Sequence, residues 1–227
     1  MPEENLNRDR FSYEDTLKKY NKPKAEKYFI LNRILYRPIG SLLVKILFKT
    51  PITPNQLTVL SFFFGILASA SFVMGNHIYL ISGAVLLQLS QILDVTDGML
   101  ARAKNSGSQF GAYLDLFLDR VTDFFIISGI VTGHYLISGN ITMLIIGLAS
   151  LALYFLQVTL FYISVIHIKD FKAGETEESR AMVIFVILIF AAVNRFDLLI
   201  YLVAIETSIN VLFRIGYLFR LKQTFQN

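Results

Sequence analysis

Four aspartates stand in one short stretch, DVTDGMLARAKNSGSQFGAYLDLFLD, at positions 94, 97, 115 and 119. The first two are three residues apart and the last two are four apart, so on helices each pair shares a face. Two antiparallel helices joined by the short segment between them point all four carboxylates at one spot. Oxygen donors with no histidine or cysteine beside them suit a hard divalent cation, Mg²⁺ foremost and Mn²⁺ next. Four carboxylates are enough to bridge two such ions, the arrangement used in phosphoryl transfer. Arg102 and Arg120 offset two of the charges at most.

The residues between the pairs narrow the cargo. Gly98, Ala101 and Gly111 are small and admit a ligand or a second helix close to the backbone. Arg102 supplies a planar positive fork suited to phosphate. Carboxylates, metal ions, an arginine and close-approach glycines together describe a diphosphate site.

As a pattern the stretch reads D-x2-D-G-x2-A-R-x8-G-x3-D-x3-D, and all eight fixed positions are filled. It resembles the signature of the CDP-alcohol phosphotransferase family, and the likeness extends over most of residues 28–220. That resemblance implies transfer of a substituted phosphoryl group from a CDP-linked donor to an acceptor hydroxyl, with release of CMP. It implies that Asp94, Asp97 and Asp115 are metal ligands and that Asp119 is both a ligand and the general base. It places Gly98, Ala101, Arg102, Ser108 and Gly111 at the cytidine nucleotide. Asn55 and Thr58, in TPNQLT at 53–58, match the family's lead-in to the first span and would reach the same nucleotide. A homodimer is implied by the resemblance alone.

What must position these residues is a membrane protein. The chain is 54% hydrophobic and only 17% charged, against about 25% in soluble domains, with a mean hydropathy of +0.55. An aspartate facing lipid at the centre of a span costs roughly 2.5–3.5 kcal/mol, so the four must face protein or water. No cysteine is present, which excludes disulfides, thiolate metal sites and cysteine nucleophiles. The polar first residues lack the apolar core of a signal peptide.

Six apolar segments, 56–75, 77–97, 111–133, 141–167, 181–194 and 197–218, predict an all-α polytopic protein with six transmembrane helices. The fifth is short. Before them, residues 28–50 carry apolar residues at helical spacing broken by Arg33, Arg37, Lys45 and Lys49, as in a juxtamembrane amphipathic helix lying in the interface. Pro38 is expected to interrupt it. The organisation is therefore a polar segment 1–27, the interfacial helix 28–50, a catalytic domain 51–222 and a tail 223–227.

Residues 1–50 hold 11 of the 21 lysines and arginines. By the positive-inside rule both termini and the 98–110 loop, hence the active site, face the cytoplasm of a cell membrane. The basicity reflects topology and anionic lipid, and argues against a nucleic-acid partner.

Lys169, Lys172, Arg180 and Arg214 lie on the same side and are the candidates for a phosphate on the acceptor. Asp123 extends the row of Asp115 and Asp119 and is expected to pair with Arg120. His134 and His167 read as interfacial, and Glu206 as an intramembrane carboxyl paired with a polar neighbour on another helix. The sequence thus points to a phospholipid-synthesising transferase with a CDP-diacylglycerol-type donor and a small alcohol or phosphorylated acceptor. The alternatives are a di-inositol phosphate synthase type using CDP-inositol and inositol phosphate, and a cation transporter with an intramembrane carboxylate site.

Overall fold

In a computed structural model, backbone is described for residues 30–167 and 175–224, and side chains for 30–163 and 180–216. The expectations for residues 1–27, Lys169, Lys172 and, within the 223–227 tail, residues 225–227 lie outside the described residues. The described residues form helices: α1 (Arg37–Leu47), α2 (Pro54–Met74), α3 (His77–Ala103), α4 (Gln109–Ser138), α5 (Ile141–His167), α6 (Glu175–Ala192) and α7 (Phe196–Thr224). Four of them contain stretches long and apolar enough to cross a bilayer: Pro54–Met74, His77–Ala103, Ile141–Ile163 and Phe196–Gly216. The chain is an integral membrane protein.

Pro38 marks a change of register rather than a break: the chain is helical on both sides of it, but a π-helical turn, Asn32–Tyr36, precedes it and the α-helical pattern starts only at Arg37. Asn32, Tyr36, Gly40 and Val44, four apart, form the buried face. Ile34, Leu42 and Ile46 are exposed.

The chain divides into two compact units. One comprises residues 1–64 and 88–121, the other 65–87 and 122–227. In the first, Val44, Leu57, Met99, Leu100 and Ala103 make a small core. Tyr36, fully buried, donates to Gln88 Oε1 at 2.7 Å, and burial pushes its phenol up to about 12. Gly40 packs on Thr96 and Met99, where an added Cβ would come within 3.2 Å of the Thr96 hydroxyl. The terminal half of α3 is thereby braced by α1.

In the second unit the core runs through Ala68, Phe72, Leu80, Ala84, Ile126, Ile130, Ile184, Ile187 and Leu199. Here α2 and α4 touch backbone to backbone. A Cβ on Gly129 would lie 2.7 Å from the Ser69 carbonyl, and one on Gly133 would overlap the Phe72 carbonyl. The Ser69 hydroxyl donates to the Phe125 carbonyl at 2.6 Å, adding an interhelical hydrogen bond at that crossing. Glycines four apart permit such an approach between apolar helices.

Candidate active site

The site is built at the junction of α3 and α4, within the first unit. Helix α3 ends in a left-handed residue, Asn105 (φ 50°), while the Ser106 N–H bonds back to the Ala101 carbonyl at 2.9 Å. This is a standard helix stop. Ser108 then caps α4, its Oγ accepting from the Gly111 N–H at 2.9 Å. The loop between them is short, so the carboxylate-bearing ends of the two helices are brought together.

Asp94, Asp97 and Asp115 each offer a carboxylate oxygen, and the three oxygens lie within 4.8 Å of one another. Two oxygens on opposite sides of a cation, at bond lengths of about 2.1–2.4 Å, stand about 4.2–4.8 Å apart. The donor set and its spread therefore fit a divalent cation. Asp119, one turn further along α4, is not in this group of three; its Oδ2 stands 4.0 Å from Arg120 Nη2. Asp123 belongs to the other unit. There it accepts hydrogen bonds from the Tyr154 hydroxyl and, at 3.2 Å, from Arg180 Nε.

The nucleotide candidates fall beside the carboxylates. The Arg102 guanidinium lies over Gly98, 3.3 Å from where a Cβ would be, so the glycine makes room for the arginine's planar head. Gly111 does the same for Asn55, whose Oδ1 would stand 2.8 Å from an added Cβ. Asn55, Ser108 and Gly111 thus converge. Asn55 is not the cap of α2. Thr53 and Gln56 form a reciprocal capping box, with Gln56 N–H donating to Thr53 Oγ1 at 3.3 Å and Thr53 N–H donating to Gln56 Oε1 at 2.9 Å. The Asn55 amide is left to lie against Gly111. Ala101 contributes its carbonyl to the helix stop and a small side chain at a half-buried position.

Three residues outside the motif also shape the site. The Thr58 hydroxyl donates to Asp97 Oδ2 at 2.6 Å, and Gln91 Nε2 reaches Asp94 Oδ2 at 3.5 Å. Lys104 Nζ donates to the carbonyls of Thr50 and Ile52 at 2.7 and 2.8 Å, fastening the lead-in to α2 onto the end of α3. The sequence carries no sign of this role for Lys104, because backbone acceptors 52 and 54 residues away leave no mark on residue types. Of the acceptor candidates, Arg180 holds Asp123, and Arg214 stacks over the Phe161 ring at 5.0 Å. Glu206 accepts from Asn210 on its own helix and is reached by Gln157 on α5.

Against known proteins, residues 51–212 match the family model of CDP-alcohol phosphatidyltransferases. An archaetidylinositol phosphate synthase from Pyrococcus horikoshii is 34% identical over 75% of this chain and 86% of its own. A bifunctional IPC transferase and DIPP synthase from Thermococcus kodakarensis is 40% identical over 41% of this chain and 19% of its own. Among solved structures, the Mycobacterium tuberculosis phosphatidylinositol phosphate synthase with CDP-DAG bound superposes with a TM-score of 0.65 at 19% identity, covering 79% of this chain and 92% of its own. The same enzyme in complex with manganese and citrate gives 0.57 at 20% identity over 78% and 87%. The chain belongs to the CDP-alcohol phosphatidyltransferase family. It is a membrane-embedded transferase that moves a substituted phosphoryl group from a CDP-alcohol to an acceptor hydroxyl and releases CMP.

Proposed function

We propose that the donor is a CDP-linked lipid and the acceptor an inositol phosphate, so that the product is a phosphoinositol lipid carrying a second phosphate. The observation that carries the transfer chemistry is the convergence of Asp94, Asp97 and Asp115 within 4.8 Å beside Gly98 and Arg102. The names of the archaeal and mycobacterial relatives support the lipid donor and the acceptor class. Asp94, Asp97 and Asp115 would hold Mg²⁺ or Mn²⁺, with Asp119 adjoining them toward a second ion. Bound there, the ions would draw charge off the diphosphate as it develops.

Asn55, Gly98, Arg102, Ser108 and Gly111 would seat the cytidine nucleotide, the guanidinium fork on its phosphates. The acceptor hydroxyl oxygen bonds to the phosphorus that carries the lipid alcohol, and the bond from that phosphorus to the CMP oxygen breaks. The hydroxyl proton would pass to the Asp119 carboxylate, the base that the family pattern places one turn beyond Asp115. Arg180 and Arg214, with Lys169 and Lys172, are the cations for the acceptor's phosphate. Asp123 and Tyr154 give Arg180 a fixed orientation.

The second reading, CDP-inositol as a soluble donor, is favoured by the DIPP synthase match, which covers a minor part of both chains. The test is CMP release from purified protein given CDP-diacylglycerol, a CDP-archaeol analogue or CDP-inositol. Each donor is paired with inositol phosphate, inositol, glycerol 3-phosphate or serine. CMP formation with a CDP-lipid and inositol phosphate is the expected outcome. Turnover only with inositol, glycerol 3-phosphate or serine would exclude the proposed acceptor, and turnover only with CDP-inositol would exclude the lipid donor.

A further inference from the structure

The carboxylates on α3 do not stand alone. Asp97 is 6% exposed, and its partner Thr58 is equally buried. A threonine in a helix ordinarily returns its hydroxyl to the carbonyl one turn back, and the Pro54 carbonyl is there at 3.2 Å. Thr58 has only one proton to give. The Asp97 oxygen, at 2.6 Å, is the closer acceptor. Gln91, 4% exposed, turns its amide nitrogen toward Asp94. Its Oε1 has no hydrogen-bond partner among the described residues.

We propose that Thr58 and Gln91 are positioning residues for the metal site: each orients one α3 carboxylate, Thr58 that of Asp97 and Gln91 that of Asp94. The inference rests on the reading of this cluster as a divalent-cation site. Three carboxylates within 4.8 Å repel one another before a cation arrives. A neutral donor fixes a carboxylate's rotamer and fills one lone pair without cancelling the charge that draws the ion. A lysine or arginine in the same place would compete with the metal for that charge. This assigns the Thr58 hydroxyl to a metal ligand rather than to the nucleotide that the family resemblance implies.

The experiment is a Mn²⁺ titration of the purified full chain by electron paramagnetic resonance, without nucleotide, for wild type, Thr58→Val, Thr58→Ala, Thr58→Ser and Gln91→Leu. Size-exclusion profile and helicity qualify each variant as folded. Loss of the hydroxyl is expected to weaken Mn²⁺ binding about 10- to 100-fold, the usual effect of removing a ligand's outer partner. Thr58→Ser is expected to stay near wild type, and Gln91→Leu to fall between. Excess Mn²⁺ should restore turnover in Thr58→Val. Wild-type Mn²⁺ affinity in the folded Val or Ala variant overturns the role of Thr58, since a nucleotide contact leaves nucleotide-free metal binding untouched. Wild-type affinity in Gln91→Leu does the same for Gln91. If the wild-type chain binds no Mn²⁺, the metal-site reading itself fails.

Discussion

Asp97 and Asp119 are both motif aspartates, yet their surroundings differ. Asp97 is buried, bonded by a neutral hydroxyl and placed within a group of three carboxylates. Asp119 lies one turn beyond Asp115 on α4, with Arg120 Nη2 4.0 Å from its Oδ2. Two substitutions should therefore separate metal binding from proton transfer. Asp97→Asn is expected to lose both Mn²⁺ binding and CMP release. Asp119→Asn should keep most of the Mn²⁺ binding at the three-carboxylate site and lose about 10²–10⁴-fold in kcat, the range for removing a general base. Full turnover in a folded Asp119→Asn protein would remove it from the role of base. Chelation of divalent ions should abolish CMP release in wild type, with added Mg²⁺ or Mn²⁺ restoring it; turnover that persists in chelator would refute the metal requirement.

At the scale of elements, glycine decides how closely helices meet. The Gly129–Gly133 pair brings α4 onto the backbone of α2 in the second unit. A leucine at 133 must displace the Phe72 carbonyl, so Gly133→Leu is expected to destabilise by about 1–3 kcal/mol or more. Gly216, where an added Cβ would meet nothing within 4 Å among the described residues, is the control, and Gly216→Leu should melt like wild type. Equal melting temperatures for the two variants would contradict the crossing. The glycine pair is not distinctive in the sequence, because two small residues four apart do not say which helix they meet. The motif itself was legible because carboxylates and small residues at fixed helical spacing state their own geometry. The partner of the Thr58 hydroxyl and the role of Lys104 were not: a threonine–aspartate bond 39 residues apart and a lysine on distant carbonyls exist only once α2 and α3 are packed. At Pro38 the expected interruption takes the form of a π turn just before it, with the chain helical on both sides.

For the whole molecule the open question of topology reduces to α4 and α6, the long helices that do not supply one of the four apolar spans. Helix α4 has 30 residues, about 45 Å at about 1.5 Å per residue. A core of about 30 Å takes about 20 of them, so with Ser138 at one boundary the core ends near Asp119 and leaves Asp115 and the loop in the headgroup region. Helix α6, with 18 residues, reaches about 27 Å and crosses if the bilayer thins slightly or its ends snorkel. We therefore propose six crossings, with the lysine- and arginine-rich ends on the cytoplasmic side. The absence of cysteine makes the test clean. Single cysteines at Asn76, Ser106 and Asn140 should react with an impermeant maleimide in intact cells at 76 and 140, and at 106 only after permeabilisation. If α4 and α6 lay on the surface and only four helices crossed, residue 140 would share the side of residue 106. Protection of Asn140→Cys in intact cells would then replace the six-span arrangement with a four-span one.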